Sequence, residues 1–263
     1  MKVKFCSLSS GSSGNCQYME TEKTRVLIDA GLSGRKIEDL LSTISVCPTT
    51  IDSILVTHEH RDHTKGVGIF SRRYDIPIYA NEGTWTSMEG IIGKIEEKNI
   101  KIFRTEEFFR VRDLDIYPFS IFHDAAEPVG YCLYHNNSKI TVLTDTGWVN
   151  NHIKNAIKDS SIYLIESNHD VKMLKEGRYP RYLKDRIMSS IGHLSNKDSG
   201  SLIADVIEGK GEKVLLGHLS KENNSPSLAY NTVREILNES GLPSKDISLD
   251  LTFREKPSIL YNF

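Results

Sequence analysis

Short apolar runs separated by turn-forming residues dominate the start of the chain, the pattern of β-strands rather than helices. Strands are predicted over residues 3–8, 16–20 and 25–28, the first two joined by the Gly/Ser-rich turn SSGSSGN over 9–15. Three such strands in succession read as an antiparallel meander. Residues 33–41 place apolar positions at helical spacing behind Ser33, a residue type that caps helix N-termini. The apolar stretch 53–56 then delivers the chain into THEHRDH, so that His58 falls just past a strand end.

From Thr64 the pattern alternates: a helix to about residue 74, a strand over 76–80, a helix over 82–89 and a strand over 100–104. A second meander is predicted over 114–122, 130–134 and 139–144, with the turn formers Asn136 and Asn137 between its last two strands. The remainder reads as helix (151–157), strand (162–166), helix, helix (199–207), strand (213–216) and helix (227–238). Two similar halves, roughly 1–123 and 124–263, each run from meander to α/β alternation. No repeat, low-complexity segment or linker divides them, which predicts a single α/β (α+β) domain over 1–263, with helices outside two packed sheets.

Composition changes this picture little. With 263 residues, 38% hydrophobic and 26% charged, the chain belongs with ordinary soluble globular proteins and is long enough for a sizeable core. Lys2 and Lys4 near the start are followed by Ser and Gly rather than an apolar run, so no secretory leader is expected. No apolar stretch approaches membrane-spanning length. Cys6, Cys16, Cys47 and Cys132 form no CxxC pair, which reads as a reducing, cytoplasmic setting without a disulfide framework. The net charge of -2 decides nothing about nucleic acid, but residues 172–186 hold six Lys or Arg against two acids, with Tyr179 and Tyr182 interleaved. Alone, such a run is a solvated face.

The chemistry concentrates in His58, His60, Asp62 and His63, the pattern H-x-H-x-D-H in one short loop. Two histidines two apart in extended chain can point to one metal ion while Asp62 and His63 reach a second. Ions that keep open positions for water and substrate need further ligands from other strand ends. His123 in SIFHD, Asp145 in VLTDTG and His218 in LLGHLS each directly follow an apolar strand.

In this order and spacing the set resembles the motif series of the metallo-β-lactamase superfamily over nearly the whole chain, and Asp29 in VLIDAG matches its first, non-ligand aspartate. The resemblance implies a four-layer αββα sandwich. It also implies that His58, His60 and His123 hold one metal, that Asp62, His63 and His218 hold the other, that Asp145 bridges them, and that Asp29 orients the cluster loop. Zinc is the default ion; manganese or iron suits the same imidazole and carboxylate donors.

Two divalent ions with Asp62, Asp145 and a hydroxide between them would keep a charge of +1, which favours an anionic substrate such as a phosphodiester. Asp62 and Asp145 would orient the nucleophile. A leaving alkoxide needs a proton, and a histidine beside a carboxylate can give it. Glu166 in LIES and His193 in GHLS fall where members similar to tRNase Z carry such residues. The stretches LSSGSSGN and ESNHDVKMLKEGRYPRYLKDRI further resemble the YycJ/WalJ family, which implies a bacterial 5′ to 3′ exonuclease on double-stranded DNA, connected with mismatch repair. In that context Ser10, Ser12, Gly14 and Asn15 could cradle a phosphate with backbone N–H groups, or simply form a hairpin turn. Asn168 and His169 would lie at the rim, and the basic run would hold the DNA backbone.

The same ligand set also serves hydrolases of small phosphodiesters or thioesters, and the ligands alone do not choose. A secreted lactamase is disfavoured by the absent leader and by an Asp rather than a Cys at 145. A binding module without chemistry would be expected to have lost ligands, and the di-iron electron carriers of the superfamily have an acid where His60 stands.

Overall fold

The computed structural model describes residues 3–243 and 246–263. Met1, Lys2, Ser244 and Lys245, and with them the reading of Lys2 at the start, lie outside the described residues.

The first sheet contains β1 (Lys4–Ser9), β2 (Cys16–Glu20), β3 (Arg25–Ile28), β4 (Ser53–Leu55), β5 (Ile78–Ala80) and β6 (Ile100–Ile102). The second contains β7 (Phe109–Val111), β8 (Leu114–Ser120), β9 (Val129–His135), β10 (Ser138–Leu143), β11 (Ile162–Glu166), β12 (Lys213–Gly217) and β13 (Ser248–Leu251). The last strand, β14 (Tyr261–Asn262), returns to the first sheet beside β1. Strand order is β14-β1-β2-β3-β4-β5-β6 in one sheet and β13-β12-β11-β10-β9-β8-β7 in the other. In each, an antiparallel meander gives way to parallel strands: β3 to β6 in the first, β10 to β13 in the second.

Helices α1 (Gly34–Thr43), α2 (Arg61–Thr64), α3 (Val67–Tyr74) and α4 (Glu82–Ile92) follow strands of the first sheet. The second sheet carries α5 (Asn151–Ile157), α6 (Val171–Glu176), α7 (Arg181–Ile187), α8 (Asn196–Val206) and α9 (Pro226–Glu239). Local chemistry starts several of them. Ser33 accepts from Lys36 N as predicted, and Ser195 and Asp198 form a capping box at α8.

Alternation along the strands explains the layering. In β3, Val26 and Ile28 join a core between the sheets while Leu27 joins the core under α1, α3 and α4. In β11, Ile162 and Leu164 face the other sheet while Tyr163 and Ile165 face the helices. Parallel strands buried on both faces need continuous apolar runs, and each sheet is therefore covered twice. The result is the αββα sandwich expected from the resemblance.

Three expectations shift. The chain crosses between sheets between β6 and β7, about twenty residues before position 123, and its end crosses back. The helix expected over 64–74 is split into α2, ending at Thr64, and α3, starting at Val67, because Gly66 N donates to Ala30 O instead of continuing the helix. The helix expected from 199 begins at Asn196, where the capping box starts it.

Candidate metal centre

Every residue of the predicted cluster follows a strand. Asp29 follows β3, His58 lies past β4, His123 past β8, Asp145 past β10, Glu166 closes β11 and His218 follows β12. Five of these strands lie in the parallel portions, so their C-terminal ends open on one crevice. Asp29, Asp145 and His218 adopt positive φ of 62°, 60° and 52°, turning the chain sharply so that each side chain points back over the strand ends.

The loop THEHRDH bends at Thr57 and Glu59 and is helical from Arg61. His63 N and Thr64 N donate to His60 O, forming α2 and placing Asp62 and His63 on its first turn. Asn15 N donates to Asp62 O and Ala30 N to His63 O, which seats this turn on the strand ends. Gly31 is required beneath it, since a Cβ there would lie 1.6 Å from Asp62 O.

The rings of His58, His123 and His218 are each held by Nδ1, leaving Nε2 directed inward. Asp29 accepts from Thr57 N at 2.9 Å and from His63 Nδ1 at 2.7 Å. Thr57 Oγ1 also donates to Asp29 and lies 3.0 Å from His58 Nδ1, so His58 donates to it and keeps its Nε2 lone pair free. His123 Nδ1 lies 3.3 Å from Gly192 O. Glu166 Oε1 accepts from His218 Nδ1 at 2.7 Å and from His193 Nδ1 at 2.8 Å, while its Oε2 accepts from Thr146 N and Leu194 N.

The inward atoms form two adjoining groups. His58, His60 and His123 offer ligand atoms within 4.8 Å of one another, as do Asp62, His63 and His218; Asp145 groups with His58 and His63 and, separately, with Glu166, His193 and His218. His60 Nδ1 and His123 Nε2 are 3.2 Å apart, and His63 Nε2 and Asp145 Oδ2 are 3.3 Å apart. Neighbouring ligands of a tetrahedral ion with bonds of about 2.0–2.1 Å lie about 3.3 Å apart. His58 Nε2, His218 Nε2 and Asp145 Oδ2 are buried without a hydrogen bond, and each such orphan costs about 1–3 kcal/mol. A pair of divalent ions would satisfy all three, so the donor set fits one.

Charge agrees with this. Burial opposes ionisation of Asp145, but His218 and His63 outweigh it and hold its carboxyl well below the usual range. Against the same burial, His193 and His218 bring Glu166 to about 2. Asp62 is lowered too, with His63 and His218 together outweighing burial. Burial and the neighbouring His63 keep His58 neutral, whereas His218, buried but facing Asp145, Asp62 and Glu166, is raised to about 10. Three ionised carboxylates in a buried site form a sink for cations.

Other predicted residues are placed differently. Asn15 reaches the cluster, its Nδ2 3.0 Å from His63 Nε2 and its Oδ1 accepting from Gly11 N. The cradle of backbone N–H groups does not form as pictured, because Ser10 N, Gly11 N, Gly14 N and Asn15 N are all used within the protein. Ser10 Oγ accepts from His218 N at 2.8 Å, Ser12 is exposed, and Gly14 is packed against Leu32 and Gly31. Asn168 and His169 are buried rather than at an open rim, and Asn168 Nδ2 donates to His218 O at 2.9 Å.

Sequence reasoning passed over Thr57, Gly31 and Asp124. Thr57 stands inside the THEHRDH motif, and Gly31 follows Asp29 in the DAG motif, so both signals were present. Asp124 accepts from Arg186 Nε at 2.5 Å and so ties α7, the end of the basic run, to the residue beside His123. Nothing in the sequence pairs those two positions.

Comparison with known proteins agrees with the fold. Residues 24–219 match the family model described as Beta-lactamase superfamily domain. The chain is 43% identical over 241 residues to Exodeoxyribonuclease YycJ of Bacillus anthracis, covering 92% of this chain and 91% of that protein. It is also 43% identical over 241 residues to Exodeoxyribonuclease WalJ of Streptococcus pneumoniae, covering 91% and 90%. Among solved structures, the metallo-beta-lactamase fold protein YhfI from Bacillus subtilis superimposes with a TM-score of 0.73 at 11% identity, covering 100% and 99% of the two chains. Zn(2+)-bound PqqB from Methylobacterium extorquens gives 0.71 at 15%, covering 98% and 100%; at these identities the two structures bear on fold alone.

Proposed function

Because the chain belongs to the Beta-lactamase superfamily and, within it, to the family of the exodeoxyribonucleases YycJ and WalJ, we propose that it is a metal-dependent exonuclease acting 5′ to 3′ on double-stranded DNA. Direction, duplex preference and a place in mismatch repair rest on the family resemblance and are part of this proposal. The observation that carries the metal-dependent chemistry is the convergence of seven ligand-bearing side chains, three of whose inward atoms, His58 Nε2, His218 Nε2 and Asp145 Oδ2, are buried without a hydrogen bond.

His58, His60 and His123 would hold one ion, Asp62, His63 and His218 the other, with Asp145 between them; zinc is proposed, with manganese or iron suited to the same donors. Such a pair supplies Lewis acidity to the scissile phosphate and favours loss of a proton from water near neutral pH. Asp62 is the most accessible of the cluster carboxylates and lies 3.7 Å from His63 Nε2 and 3.8 Å from His218 Nε2, placing it to orient the attacking water. Asn15 Nδ2, aimed at the same point, would donate to a phosphate oxygen.

His193 is the proposed proton donor to the departing alkoxide. Its Nδ1 is spent on Glu166, and the ring stays partly open to solvent, which leaves Nε2 for the leaving group. Glu166, fully buried, acts by positioning His193 and His218 rather than by touching substrate. The exposed Lys172, Lys175, Arg178 and Arg181 carry the basic face, with Tyr182 exposed among them. Arg186 anchors that face beside His123, where it would follow the phosphate backbone.

The test is digestion of end-labelled linear duplex DNA, single-stranded DNA and RNA by the purified protein with zinc or manganese. Progressive loss of 5′ ends from the duplex is the expected result. Cleavage of only a small phosphodiester such as bis(p-nitrophenyl) phosphate would replace this reading with a small-molecule phosphodiesterase.

A further inference from the structure

A cavity of about 610 Å³ adjoins the metal cluster without being part of it. Ser10 forms one wall, and its hydroxyl accepts the backbone N–H of His218; Leu219 and Ser220, which follow that histidine, form another. The third wall is the segment from Thr252 to Lys256. The loop of residues 9–15 thus has one end on the cavity and the other, through Asn15, on His63.

The lining combines cations with apolar surface. Lys221, Arg254 and Lys256 face the cavity and, among the described residues, none of them lies within ion-pair distance of a carboxylate; Glu255 is the acid on the wall. Arg254 is tethered by its guanidinium to Leu219 O. Pro226, the first residue of α9, brings the positive end of a 14-residue helix to the same space. The Phe253 ring lies on this wall, half-buried, with Lys256 Nζ 4.2 Å from its centroid. The exposed Ser12 and Ser13 add hydroxyls at the mouth.

Three cations beside an aromatic ring call for a ligand with an anionic group and a flat ring, and the cavity has the size of a small-molecule site. A bare phosphate would leave the apolar surface of Leu219 and Pro226 without a partner. We propose that this cavity is a nucleotide subsite that takes one nucleotide of the strand being cut, its base against Phe253 and its phosphate among Lys221, Arg254 and Lys256. The proposal rests on the nuclease reading and adds to it a path for the strand from the metal cluster into the cavity.

Calorimetry on the purified, metal-loaded full chain with inorganic phosphate, thymidine and thymidine monophosphate tests it. Thymidine monophosphate is expected to bind at least tenfold more tightly than phosphate or thymidine. Phe253→Ala should remove that advantage while leaving phosphate binding in place, whereas the charge reversal Lys256→Glu should weaken nucleotide binding at least tenfold and phosphate binding with it. Equal affinity for phosphate and the nucleotide, an unchanged advantage in Phe253→Ala, or unchanged binding in Lys256→Glu overturns the subsite. If the protein degrades DNA but the variants bind as wild type does, the subsite alone falls. If the variants lose nucleotide binding while wild type cleaves no DNA, the nuclease reading falls instead.

Discussion

His193 donates through Nδ1 to Glu166 Oε1 at 2.8 Å, and the same oxygen accepts from His218 Nδ1 at 2.7 Å. One buried carboxylate thus orients both the proposed proton donor and a proposed metal ligand.

The two roles separate on mutation. His193→Ala removes the donor but no ligand, so kcat should fall by about 10²–10⁴-fold with metal content unchanged and partial rescue by added imidazole. Metal loss equal to that in His218→Ala would make His193 a ligand rather than a donor.

Asp29 offers a matching case on the first sheet. Asn tolerates the positive φ at this position, so Asp29→Asn removes the charge without straining the backbone. With the bonds to Thr57 and His63 weakened, metal affinity should drop by about 10–100-fold while the circular dichroism spectrum stays the same. Unchanged affinity would show that the carboxylate does not orient the cluster loop.

Gly31 and Gly90 should respond oppositely to alanine. At Gly31 the new Cβ meets Asp62 backbone at 1.6 Å, so the turn carrying Asp62 and His63 must move, at a cost of about 1–3 kcal/mol or more and with loss of bound metal. At Gly90, inside α4, nothing lies within 4 Å of an added Cβ. There alanine should stabilise by about 0.5–1 kcal/mol. Thermal unfolding of the two variants separates these outcomes.

Thiol chemistry reports on burial independently of the site. Cys47 is exposed and its thiol is lowered by the hydroxyl and backbone of Thr49, whereas burial raises Cys16 and Cys132 and pushes Cys6 up to about 11. A thiol with a raised pKa stays protonated and unreactive until the pH approaches that value. Ellman's reagent at pH 8 should therefore modify one thiol quickly in the native protein and all four after denaturation. Rapid reaction of a second native thiol would contradict this packing.

Much of this architecture was legible in the sequence because it rests on local signals. Short apolar runs bounded by turn formers marked β1 to β3 and β8 to β10, Ser33 marked the start of α1, and His123, Asp145 and His218 each stood after an apolar run. What escaped depends on distant partners. The strands β7, β13 and β14 have three, four and two residues, too few for a period to show, and exist because neighbouring strands pair with them. The burial of Asn168 reflects its bond to His218 O, fifty positions along the chain. The Gly/Ser turn reads from sequence as either an anion cradle or a plain hairpin turn, and the N–H groups of Ser10, Gly11, Gly14 and Asn15 are taken by Phe253, Asn15, Gly11 and Asp62. Only the folded chain reveals those acceptors.

Metal content tests the account most directly. Elemental analysis of the purified protein should find two divalent ions per chain, one or fewer in His218→Ala and in His63→Ala, with exonuclease activity lost on chelation and restored by zinc or manganese. A protein that holds no divalent ion, or that degrades DNA at full rate after the ions are removed, would contradict it.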